Sequence, residues 1–212
     1  MHPQLDARYR ASVDLYWLPL GAGDTLKIVQ WNGRAYEALL AAHEHRPRRS
    51  LYHSALEVRL NEDRFVIEMV PVWHSREPHR GVTGEGPVGL PSLGRSRLFR
   101  YEIRRWLGGV IPDVSESVGS PVSVSSDAEK ARALLELVPA FPTATWGRDE
   151  LCTGEMWNSN SLISWLLARS GHRTDDVEPP VDGRAPGWNA GLIVAARSPI
   201  ATTSEHKVSL GV

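Results

Sequence analysis

Four small polar residues, Asn158-Ser159-Asn160-Ser161, follow Trp157 and lead into the apolar run Leu162-Ile163-Ser164-Trp165-Leu166-Leu167. Apolar residues at 162, 165 and 166 repeat at helical spacing, so the polar residues sit at the start of a helix expected over 159–170, closed by Gly171. Serine and asparagine are favoured there because their side-chain oxygens accept the unpaired N–H groups of the first turn. One helix needs one cap, however, and four residues compete for the position. A nucleophile at a helix start feels the positive end of the helix dipole, and free N–H groups can hold a developing oxyanion. Ser159 is therefore the candidate nucleophile, with Asn158, Asn160 and Trp157 as candidate substrate contacts. Capping alone is the competing explanation.

A serine needs a base. His53 stands near the start of a β-rich run, Leu51–Leu60 (LYHSALEVRL), which Asn61-Glu62-Asp63 joins to a second run, Arg64–Val72 (RFVIEMVPV). Such chemistry predicts a hairpin. Glu68 lies inside the apolar stretch Phe65-Val66-Ile67-Glu68-Met69-Val70, where a carboxylate is costly unless paired. Paired with His53, it would orient the imidazole and stabilise its cation. Alternatively, Glu68 faces solvent on an edge strand and His53 is a satisfied core histidine. Cys152 is a rival nucleophile in a loop, with nothing to mark it as activated. His43 and His45 are two apart, His74 and His79 fall in a long polar stretch, and no pair has metal-ligand spacing, so no metal or cofactor is expected. Gly84-x-Gly86-x-x-Gly89 matches a dinucleotide fingerprint by spacing alone, and Pro87 and Pro91 deny it the following helix.

A strand opening Y-H-S-A-L-E-V, a turn, a strand F-V-I-E-M and a later helix opening N-S-N-S together resemble the circularly permuted papain-like fold. That group includes lecithin:retinol acyltransferase-like proteins and the PPPDE-type deubiquitinating peptidases. The resemblance covers about His53 to Met69 and Asn158 to Leu167. It implies His53 as base, Glu68 as third residue and Ser159 in the nucleophile position, where those families carry cysteine. L-Y-H-S-A-L-E-V and G-E-M-W-N-S-N-S are also similar to a bacterial family, a resemblance that implies no activity.

The remaining elements must position these residues. Val13–Leu20 reads as a strand ending at Gly21-Ala22-Gly23, Ala35–His45 as a helix stopped by Pro47, and Arg97–Leu107 as a strand. In that strand Leu98, Arg100, Glu102, Arg104 and Trp106 share one face. Arg46, Arg48 and Arg49 surround Pro47 as a solvated loop or an anion site. His74 to Gly94 reads as a long loop, and Pro112, Ser120 and Pro121 as irregular chain. Ser126-Asp127-Ala128-Glu129 is a capping box for a helix over 127–138. Ala190–Ala196 reads as a short strand, and 198–212 as a loose tail. The whole predicts one α+β domain over 1–212: an antiparallel sheet with helices packed beside it.

The chain has 212 residues, 42% hydrophobic and 23% charged, with net charge −1. No basic excess argues for nucleic acid, and no apolar run reaches the roughly 18 residues of a membrane span. With one cysteine and no signal-like N-terminus, a cytoplasmic location is expected. The expected function is a hydrolase or acyltransferase-like activity on an amide, ester or thioester. The alternative is a catalytically inactive module that binds a peptide or small molecule.

Overall fold

The computed structural model describes residues 11–20, 49–72 and 79–197. Its centre is a sheet of strands β1 (Ala11–Pro19), β2 (Ser50–Leu60), β3 (Asp63–Pro71), β4 (Val82–Pro87), β5 (Arg100–Leu107) and β6 (Val122–Ser125), in the order β4-β5-β3-β2-β1-β6. These pairings are antiparallel. A short β7 (Gly183–Arg184) pairs parallel with Ser50 and Leu51 at the start of β2. Helices α1 (Ala128–Leu137), α2 (Ser159–Arg169) and α3 (Trp188–Arg197) lie beside the sheet, giving an α+β architecture. The hairpin forms as expected: Leu60 pairs with Asp63, and Asn61 takes a positive φ of 57°, a conformation asparagine tolerates well.

Strand alternation divides the buried residues into two sets. Val13, Leu15, Trp17, Leu56, Val58, Ile67, Met69, Tyr101 and Ile103 pack with Leu134, Leu162 and Leu166 of the helices. The opposite face carries a smaller cluster of Leu18, Ala55 and Val66 with Ile111. The same face holds Glu68, which pairs directly across the strands with Arg104. Residues Ser159 to Leu167 are all buried. Burial therefore extends well beyond the 162–165–166 face, because α2 is wedged between β2 and α3.

Several elements differ from their sequence expectation. Ala190–Ala196 is part of helix α3; a short run of apolar residues carries no period that separates strand from helix. The stretch 74–94 contains β4, in which Gly84 and Gly86 lie against β5. A Cβ on Gly86 would come 2.3 Å from the Tyr101 hydroxyl, so this glycine permits close packing. The strand expected from Arg97 begins at Arg100, after a 3-10 turn over Arg97–Phe99. The cap of α1 is Asp127, one residue after Ser126, and its side chain accepts from the amides of Glu129 and Lys130. Val122–Ser125 is a strand in what reads as irregular chain. The helix expected over 35–45, the Gly21–Gly23 turn and the tail 198–212 lie outside the described residues.

Candidate functional site

The polar start of α2 forms a fastening between three segments. Asn158 is the cap: its Oδ1 accepts from the amides of Asn160 (2.9 Å) and Ser161 (3.3 Å), while the Ser161 hydroxyl accepts from the Asn158 amide (3.1 Å). The reciprocal pair is a capping box with serine in the place usually held by glutamate or glutamine. Asn158 Nδ2 also donates to the Pro186 carbonyl at 2.8 Å, and Ser161 Oγ to the Gly187 carbonyl at 2.8 Å. Asn160 Nδ2 donates to the carbonyls of Tyr52 (3.0 Å) and Pro186 (2.9 Å), and its Oδ1 accepts from Ser54 Oγ (2.8 Å). A turn deeper, Ser164 Oγ donates to the Trp188 carbonyl at 2.7 Å.

The opposing turn has little spare room. Gly187 has φ +85°, and a Cβ there would meet Asn158 Oδ1 at 2.5 Å. Its amide is held by Glu155 Oε2 at 2.8 Å, so a carboxylate sits beside the positive end of α3. At Gly191 a Cβ would lie 2.1 Å from Ser164 Oγ, so α2 and α3 cross in direct backbone contact. Buried polar groups are costly when unpaired. Here Asn158, Asn160, Ser161, Ser164 and Ser54 all have partners, which accounts for most of the polar residues at the helix start.

Ser159 stands apart from this network. It is 4% exposed, and its hydroxyl makes no hydrogen bond among the described residues. It does not cap α2, because Asn158 does. Tyr52 and Ser54, to which Asn160 is bonded, flank His53 on β2, so the fastening brings the start of α2 to the His53 stretch of the strand. His53 itself pairs with Leu18 and alternates onto the face opposite the helices. It makes no hydrogen bond among the described residues, and none joins it to Ser159 or Glu68. Protein surrounds the imidazole although part of its surface still meets solvent. This burial lowers its pKa to about 4, so the ring is neutral at neutral pH.

Glu68 is occupied elsewhere. Its Oε1 accepts from Arg104 Nη1 at 2.7 Å, and Arg104 Nε donates to Glu102 Oε1 at 2.7 Å. Arg80 grips Glu102 from the other side, through Nε at 2.5 Å and Nη2 at 2.8 Å. Burial pushes the Glu68 carboxyl upward, and Arg104 only partly offsets this. Burial also acts on Glu102, but the two guanidiniums outweigh it and hold its carboxyl low. Trp157 is 1% exposed and stacks on Phe141 with centroids 4.8 Å apart, its Nε1 donating to the Pro142 carbonyl at 3.0 Å. It anchors the core beneath the helix start.

Sequence reasoning missed Ser54 and the turn at Pro186–Gly187. Ser54 carried a signal, a small polar residue on a strand face otherwise apolar; the carbonyls of the turn carried none. Cys152 is exposed, with a positive φ of 52°, and its carbonyl accepts from Arg197 Nη2 at 3.0 Å. Among the described residues no cluster of histidine, cysteine, aspartate and glutamate could hold a metal ion, and no helix is long and apolar enough to cross a membrane. Comparison with family models, with curated proteins and with solved structures finds no match to this chain.

Proposed function

We propose that this chain is a hydrolase or acyltransferase-like protein acting on an amide, ester or thioester, with Ser159 as nucleophile and His53 as its base. The observation that carries this is the idle hydroxyl of Ser159, at the positive end of a helix whose cap is a different residue. In this scheme the Ser159 oxygen attacks the acyl carbon as the imidazole takes its proton. The proton passes to the leaving group, and water or an acceptor then releases the acyl serine. The amides of Asn160 and Ser161 already serve Asn158. The remaining first-turn amide, that of Ser159, is left to donate to a developing oxyanion. Glu68 is committed to Arg104, so the reading rests on a serine–histidine pair whose imidazole must leave the face opposite the helices to reach Ser159.

A second reading is binding of a peptide or small molecule without turnover. The observation favouring it is that no carboxylate among the described residues is hydrogen-bonded to His53 and its pKa is held at about 4, which makes it a weak base for a serine. One experiment separates the two. The purified protein is assayed on ester, thioester and peptide panels and treated with a fluorophosphonate probe, beside Ser159→Ala. Turnover and labelling that Ser159→Ala abolishes, with an unchanged melting temperature, support the dyad. Absence of both turnover and labelling removes the enzyme reading.

A further inference from the structure

The segment Val88–Arg100 projects from the β4–β5 edge of the sheet. Its ends are tied by the Val88 amide, which donates to the Phe99 carbonyl at 2.8 Å, and between them run two short 3-10 turns, Pro91–Arg95 and Arg97–Phe99. Large apolar side chains stand in solvent along it: Leu90 is 46% exposed, Leu93 37%, Leu98 64% and Phe99 41%. Three residues per 3-10 turn put Leu90 and Leu93 on one side of the first turn. The segment carries Arg95, Arg97 and Arg100 and no acidic residue. Arg100 is paired with Glu85, while Arg95 and Arg97 are exposed and have no carboxylate partner among the described residues.

We infer that this segment docks the protein on an anionic lipid surface, Leu98 and Phe99 entering the headgroup–acyl boundary while Arg95 and Arg97 meet lipid phosphates and carboxylates. Charge selects the occupant: exposed arginines without acids beside apolar tips complement a negatively charged interface that has an apolar interior. Shape agrees. The segment offers a few exposed apolar side chains beside two arginines, and shallow insertion in a bilayer needs no more than that. The inference does not rest on the Ser159–His53 reading. The loop does hang at the same end of the sheet: Trp146 bonds Pro87 and Gly89, and Gly147 bonds the Trp157 carbonyl just before α2. Docking there would turn the start of α2 toward the membrane.

The full chain is sedimented with vesicles of phosphatidylcholine and with vesicles that also contain phosphatidylserine. The expected result is binding to the anionic vesicles alone, weakened by salt. Arg95→Gln and Arg97→Gln each lower the affinity about fivefold. Leu98→Ser with Phe99→Ser abolishes binding without changing the melting temperature. Equal binding to neutral vesicles, no binding to either, or unaltered binding by both sets of variants overturns the inference. So does a wild-type dimer that the Leu98→Ser/Phe99→Ser protein loses while neither binds vesicles, since a second copy would then be the occupant.

Discussion

His53 makes the protein's stability depend on pH in a way that one substitution isolates. The unfolded histidine has a pKa near 6.5, and burial in the folded chain lowers it to about 4. Between these values the unfolded state binds a proton that the folded state refuses, so acidification favours unfolding. The contribution is absent above about pH 7, grows by about 1.4 kcal/mol per pH unit below 6.5, and reaches at most about 3 kcal/mol near pH 4. His53→Gln keeps a polar side chain but cannot take the proton. The difference in unfolding free energy between wild type and variant is read from urea titrations at pH 7.5, 6, 5 and 4.5. All other titrating groups are shared, so their effects cancel in the difference. Wild type should lose ground to the variant steadily as pH falls. A difference that stays constant from pH 7.5 to 4.5 would show that the imidazole is not held neutral by burial. Histidine resonances titrated by NMR give the pKa directly.

Asn160→Ala leaves the Tyr52 carbonyl and the Ser54 hydroxyl without their partner, and chemical denaturation should show a loss of about 2–4 kcal/mol. Arg104→Ala strands Glu68 in a buried site and should cost about 3–5 kcal/mol. Because that penalty falls on the ionised carboxyl, the deficit should shrink as pH is lowered, and a deficit independent of pH would contradict the assignment. Gly86→Ala brings a methyl against the buried Tyr101 ring and should lower stability by about 1–3 kcal/mol, measurable as a fall in melting temperature.

The hairpin and α2 were legible because each combines a strong period with its own stop signal: Asn61 at the turn, Asn158 and Gly171 at the helix ends. Helix α3 was not, since Ala190, Gly191, Ala195 and Ala196 are too small to mark one face. Strand β4 hid behind Gly84 and Gly86, residues that weaken a strand pattern while allowing close contact with β5. At the site, the surplus of polar residues at 158–161 was visible, but its purpose lay in backbone carbonyls of Pro186, Gly187 and Tyr52, which no side chain advertises. Glu68 shows the limit most clearly. Its need for a partner could be read from its apolar neighbours; that the partner is Arg104 follows from the β3–β5 register, which aligns the two residues directly.

The bond between Ser54 and Asn160 joins residues 106 positions apart. A contact of that span closes a very large loop, and the chain entropy spent on it must be recovered by contacts formed at nearly the same moment. Non-local closure of this kind slows folding. On a ribosome, the His53 strand would wait, with the carbonyl of Tyr52 still open to water, until the segment through Gly187 had emerged. The fastening of α2 to β2 therefore closes as one of the last events of folding, and a chain arrested before Pro186 carries Asn160 without one of the carbonyls that hold it.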